Sequence, residues 1–362
     1  YFEQINKMRL LMHEIAAHPN KEPILQKAKS YGLSNQLIAR LWNTTPEQVY
    51  QMSIDHQLLT KYKEIEPSAG EFDQHTNSFY SAYEEENEIS RTSQPSALVI
   101  GTGGLRLGLS NSGDYFVAMM LKELHNEGFN NVIVNSNPSS VTFDPELAEK
   151  RYVEPATIEN ILQILRIEQP QYLFIPTSYD KLLKSLQNYD LDVKIIVIPD
   201  ELPTTAASSD KQRYFFNYVY DGNYAYPLGT MTDLFSPIAL NYQSTALRYP
   251  ADLPSSTYQN LNDQASVAVL KMEQPGLYQV IFEENDGEFN LMKVQPLSLP
   301  EVSFLSKALH ISLPGIFTQL FTGKFDKMLE PKPVSGIVNY RAPFPFKALR
   351  VKGGIPARNR VI

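Results

Sequence analysis

Ala97-Leu98-Val99-Ile100-Gly101-Thr102-Gly103-Gly104-Leu105-Arg106-Leu107-Gly108 is the stretch that decides the fold. Four apolar residues read as a buried strand, and the glycines after them read as a tight strand-to-helix turn. Phe116 to Leu124 then follows helical spacing. The alternation continues with a strand at Asn131–Val134, a helix at Ile158–Ile167, a strand at Tyr172–Ile175, a helix at Asp180–Leu186 and a strand at Val193–Ile198. This order predicts a parallel, doubly wound sheet over residues 96–200. Backbone amides at such a turn can hold phosphate, so Gly101, Gly103, Gly104 and Gly108 are small-anion candidates. They make no dinucleotide fingerprint. The third glycine of G-x-G-x-x-G falls on Arg106, and the second strand ends Val134-Asn135-Ser136-Asn137, with no acid for a ribose hydroxyl. The better reading of these glycines is a steric one.

Upstream, residues 1–65 read as all-helical. Met8, Leu11, Met12 and Ile15 recur at helical spacing, Gly32 is a C-cap signal, Ser34 an N-cap, and Thr45-Pro46-Glu47 opens another helix. Tyr31-Gly32-Leu33-Ser34 resembles the start of a helix-turn-helix. Residues 1–66 hold eight Lys/Arg against seven Asp/Glu, however, which is no DNA-reading face, and a packing or oligomerisation bundle is the better reading. Residues 66–95, with Pro67, Gly70 and the acidic run Glu84 to Glu86, read as a linker. Its aromatics, Phe72, Phe79, Tyr80 and Tyr83, predict that it lies along the next domain. Downstream, residues 201–212 read as a polar loop. Asp221-Gly222 and Asn285-Asp286-Gly287 then mark two hairpins, and Val302–Leu309 and Ile316–Leu320 read as helices. Residues 201–362 therefore read as α+β with an antiparallel sheet. Its aromatics from Tyr214 to Tyr226 alternate at strand period and predict sheet packing.

Composition narrows the function. The chain has 362 residues, enough for about two domains. Its net charge of −8 argues against nucleic acid as a partner. There are no cysteines, which removes thiol nucleophiles, Cys-zinc sites and iron–sulfur clusters. The six histidines lack the i,i+4 spacing of a helical metal site. Glu283, Glu284 and Asp286 could meet a divalent ion but read as a solvated turn. No leader peptide or long apolar run stands out, and the expectation is a cytoplasmic protein with no membrane partner.

Several stretches together resemble the large subunit of carbamoyl phosphate synthase. They are Leu98-Val99-Ile100-Gly101-Thr102-Gly103-Gly104, Gly113-Asp114-Tyr115, Asn135-Ser136-Asn137-Pro138 and Tyr152-Val153-Glu154-Pro155, in that order. Tyr80-Ser81-x-Tyr83-Glu84 upstream, and Val302-Ser303-x-x-Ser306-Lys307-Ala308 with Leu313-Pro314 downstream, extend the resemblance over most of the chain. The resemblance implies a multidomain α/β protein. It would have a helical oligomerisation-like domain (1–65), a linker (66–95), a Rossmann-like pre-ATP-grasp domain (96–200) and a truncated ATP-grasp remnant with a tail (201–362).

The departures carry the functional expectation. The family's glycine-rich nucleotide lid has no counterpart between Ile198 and Tyr214. The family's metal-ligand positions hold Ile281, Lys293 and Gln295, and the arginine that follows its N-P holds Leu297. The family's H-S-G-D-S falls on Asn241-Tyr242-Gln243-Ser244-Thr245, and two acidic positions hold Arg213 and Phe215. Phosphoryl transfer needs carboxylates that hold Mg²⁺ against the phosphates. Ile281 cannot ligate a metal, and Lys293 puts a positive charge where a cation should sit. The expectation is a scaffold kept with its nucleotide site discarded: no cofactor, no metal, no catalytic residue, and a homo-oligomer or carbamoyl phosphate synthase subunits as partners. The alternative is one part of a split synthase, active with a partner chain.

Overall fold

The computed structural model describes residues 2–72, 75–83, 86–91, 95–102, 110–200, 211–234, 246–326 and 336–341. The chain divides into two units, Tyr1–Gly103 with Leu121–Ile198, and Gly104–Met120 with Pro199–Ile362.

The first unit begins with helices α1 (Phe2–Ala17), α2 (Glu22–Ser30), α3 (Asn35–Trp42) and α4 (Pro46–Asp55). Local chemistry sets their ends. Ser34 accepts from the Leu37 amide, and Thr45 forms a capping box with Gln48 ahead of Pro46. Leu11, Ile15, Leu25, Ala28, Ile38, Trp42 and Val49 form their shared core. The Trp42 Nε1–H donates to the Ile15 carbonyl at 2.7 Å. These helices fall in the same unit as the sheet that follows, although the sequence places a boundary at residue 65.

That sheet contains β1 (Lys61–Glu64), β2 (Ser78–Ala82), β3 (Ser96–Ile100), β4 (Asn130–Asn135), β5 (Lys150–Val153), β6 (Tyr172–Pro176) and β7 (Lys194–Ile198). Their order among the described residues is β1-β2-β5-β4-β3-β6-β7, and every pair is parallel except β1 with β2. The parallel doubly wound sheet expected from the apolar runs is present. Helices α5 (Ser110–Asn126), α6 (Ile158–Glu168) and α7 (Asp180–Leu186) alternate with its strands. The stretch read as a linker, 66–95, does not simply lie along the sheet. Its residues 78–82 are a strand of that sheet, hydrogen-bonded between β1 and β5.

The second unit is built on an antiparallel sheet of β8 (Arg213–Tyr220), β9 (Ala225–Asp233), β10 (Ala246–Tyr249), β11 (Gly276–Asn285), β12 (Glu288–Pro296) and β13 (Val338–Arg341). Its order among the described residues is β12-β11-β8-β9-β10-β13. Both expected hairpins form. In the β11–β12 turn, Asp286 and Gly287 have φ of +52° and +84°, the positive pair a two-residue primed turn demands. One face, bearing Phe216, Tyr218, Tyr220, Val280 and Phe282, packs on Leu261, Ala265 and Val269 of helix α8 (Ser255–Val269). That helix was not anticipated. Helices α9 (Leu299–Leu309) and α10 (Leu313–Thr322) follow β12, and α10 packs against β11. Among the described residues, no helix is long and apolar enough to cross a membrane.

Candidate functional site

Two places carry the residues singled out by the sequence. The first is the carboxyl end of the parallel sheet. Of the four glycine candidates, Gly101 is described, while Gly103, Gly104 and Gly108 lie outside the described residues. Gly101 ends β3 beside β4, its amide donating to the Val134 carbonyl at 2.8 Å. A Cβ on Gly101 would stand 2.5 Å from Asn135 Nδ2. Glycine is therefore required at 101 because the Asn135 side chain crosses it, a steric reason that involves no ligand. Asn135 in turn is buried, and its Oδ1 accepts from the Asn137 amide at 3.0 Å, which sets the turn after β4. Two stretches that look like separate motifs in the sequence thus meet in one packing contact. Glu154 from a third stretch is also structural. It accepts from the Ser81 amide and from Asn160 Nδ2 at 2.7 Å, and burial raises its pKa.

The second place is the face of the antiparallel sheet turned away from α8. Strand pairing arranges it in three rows. In the middle row Met231 faces Phe215, Phe215 faces Ile281, and Ile281 faces Lys293. The first three of these are fully buried. In the row on one side Gly229, Asn217, Gln279 and Gln295 lie abreast. Gln295 Nε2 donates to Gln279 Oε1 at 3.4 Å, Gln279 Nε2 to Asn217 Oδ1 at 3.2 Å, and Asn217 Nδ2 to the Phe215 and Gly229 carbonyls at 3.0 and 3.1 Å. The row on the other side holds Arg213 and Asp233, with Arg213 Nε donating to Asp233 Oδ2 at 2.7 Å. Burial pushes the Asp233 carboxyl up to about 6, against the pull of Arg213.

The expected metal-ligand positions are therefore brought together, Ile281 directly opposite Lys293 with Gln295 two residues along. Their chemistry does not fit a magnesium nucleotide. Ile281 offers no donor atom, the Lys293 ammonium repels a cation, and Gln295 brings at most one neutral amide oxygen, its Nε2 being turned to Gln279. The acidic positions at 213 and 215 hold a guanidinium in an ion pair and a phenyl ring. Among the described residues no group of three or more His, Cys, Asp or Glu side chains is placed to hold a metal ion. Glu283 and Glu284 go separate ways: Glu283 pairs with Lys211 at 3.6 Å, and Glu284 accepts from the Tyr214 hydroxyl at 3.2 Å. The stretch Asn241–Thr245 lies outside the described residues, as do residues 201–210 of the polar loop.

Sequence reasoning missed Asp233, Asn217, Gln279 and Glu301. Glu301 had a usable signal, since Ser298-x-x-Glu301 is a capping-box pattern. The structure confirms it: Ser298 Oγ accepts from the Glu301 amide, and the Glu301 carboxylate accepts from the Ser298 amide at 3.0 Å. The others come together only through strand register.

Residues 93–197 match the family described as the carbamoyl phosphate synthase preATP-grasp domain. Among solved structures the chain is similar to biotin carboxylase from Campylobacter jejuni, at 10% identity and a TM-score of 0.49, covering 67% of this chain and 74% of that one. It is similar to urea amidolyase from K. lactis at 14% identity and a TM-score of 0.48, covering 67% of this chain and 16% of that one. Urea carboxylase from Kluyveromyces lactis follows at 13% identity and a TM-score of 0.48, covering 67% of this chain and 23% of that one. The chain thus spans less than a quarter of the length of these two Kluyveromyces proteins.

Proposed function

We propose that the chain is a non-catalytic relative of the carbamoyl phosphate synthase large subunit, a binding, regulatory or structural protein that works as an oligomer or with synthase subunits. The observation that carries this reading is the middle row of the antiparallel sheet. Where metal-held nucleotide chemistry needs oxygen ligands, Met231, Phe215 and Ile281 form a closed apolar strip. Burying a magnesium ion against that strip would cost its hydration with no oxygen ligand in return, and the neighbouring Lys293 ammonium would repel it. The family match over residues 93–197 supports a retained pre-ATP-grasp scaffold. It is also what favours the second reading, in which a partner chain supplies the nucleotide-handling half of a split synthase. Isothermal titration of the chain with ATP and Mg²⁺ is expected to give no binding heat, and micromolar binding would overturn the proposal. Carbamoyl phosphate formed on mixing the chain with candidate partner subunits would establish the second reading in its place.

A further inference from the structure

The charged row of the antiparallel sheet contains more than one ion pair. The charged groups that face Arg213 are Asp233 on β9, Glu283 across from it on β11, and Glu301 on α9. Glu283 is served by Lys211. Asp233 and Glu301 are both buried, and their charges repel one another while Arg213 attracts both. Arg213 is buried as well and uses its Nε alone, since Nη1 and Nη2 have no hydrogen-bond partner among the described residues. A guanidinium kept for its fork would engage that fork. This one touches one buried carboxylate, Asp233, and its charge also acts on a second, Glu301.

We propose that Arg213 is a tethered cation: it supplies from within the chain the positive charge that Asp233 and Glu301 require, so this face keeps its shape without a bound divalent metal. The face of the sheet that fails to fit a metal is thus held by an internal replacement for one. Asp233 and Glu301 are drawn to Arg213 through the chain's own folding, and the metal's entropic and dehydration costs do not arise. The inference stands on the charged row alone and would survive a failure of the non-catalytic reading.

Thermal unfolding of the intact chain tests it. Wild-type chain is expected to melt at the same temperature in MgCl₂ and in EDTA; stabilisation by Mg²⁺ would overturn the proposal, whereas ATP binding would strike only the reading above. Arg213→Met is expected to lower the melting temperature at pH 7.5 by about 5 °C. That deficit should shrink toward pH 5, where Asp233 takes up a proton, and widen toward pH 8. Arg213→Lys, which keeps the charge and loses the fork, should show a smaller deficit with little pH dependence. A deficit in Arg213→Met that is constant across pH 5 to 8, or an Arg213→Lys variant as damaged as Arg213→Met, would overturn the proposal. Should Arg213→Met fail to fold at pH 7.5, folding at pH 5 supports it, and failure at both pH values alongside an unfolded Arg213→Lys counts against it.

Discussion

Lys150 with Glu168 in the first unit and Arg213 with Asp233 in the second are both ion pairs taken out of water, and they are finished to different degrees. Lys150 Nζ donates to both Glu168 oxygens, at 2.9 and 3.1 Å, and to the Ser90 carbonyl, while the Tyr152 hydroxyl donates to Glu168 Oε1 at 2.6 Å. Arg213 and Asp233 share one hydrogen bond of 2.7 Å, leaving Nη1, Nη2 and Oδ1 without partners among the described residues. A buried charge repays its desolvation only when its geometry is good and its remaining hydrogen-bond capacity is used. The first pair meets that condition and acts as scaffold, tying β5 to the end of α6. The second does not meet it, since much of its hydrogen-bonding capacity is unused.

The contrast can be tested in order of expected size. Lys150→Met should cost the most, about 3–5 kcal/mol by urea titration, because it leaves the Glu168 carboxylate buried without its counter-ion. An equal or smaller loss than from Arg213→Met would break the comparison. Next is pH. Asp233 has its carboxyl pushed up to about 6 from an ordinary 3.8, so between these values the folded chain holds a proton that the unfolded chain has released. Stability should therefore be full below pH 4 and fall by about 3 kcal/mol as pH rises through 6. Denaturant midpoints of wild type and Asp233→Asn across pH 4 to 7 check this, and a wild-type curve flat over that window would remove the distinction. The smallest effect sharpens the closed pair. Tyr152→Phe deletes the hydroxyl that donates to Glu168 and should cost about 2 kcal/mol, the range for hydrogen bonds to charged groups. A neutral result there would mean the pair is less finished than its distances suggest.

The same contrast explains what the sequence revealed. Strands β3, β4 and β6 are buried along nearly all their length because both faces of a parallel sheet are covered, so their apolar runs stand out, while β7 at the edge keeps an apolar run although Val197 is exposed. Strand β5 was hidden: Lys150 and Arg151 look solvent-facing, yet both are buried. Glu168 meets the first, while Ser78 Oγ and the Ala148 and Thr76 carbonyls meet the second. Helix α8 was hidden for a related reason. Its buried contacts are few, Leu261, Ala265 and Val269, and its other positions are mostly polar. The β11–β12 hairpin was legible because a primed turn accepts so few residues that Asp-Gly nearly names it, and the β8–β9 hairpin because Gly222 supplies the positive φ its four-residue loop needs. At the candidate site, Ile281, Lys293 and Gln295 were singled out through family resemblance. Their neighbours Asp233 and Glu301 arrive from other elements, through register and helix placement that no local pattern encodes.

Strand β2 has a practical corollary for anyone dissecting this protein. Cutting the chain at residue 96, where the sequence invites a cut, would remove β1 and β2 and bare the β5 backbone amides and carbonyls that pair with Ser78 and Phe79. An unprotected border of that kind recruits strands from other molecules. A fragment starting there should precipitate or self-associate, while one that retains residue 61 onward keeps its flank shielded.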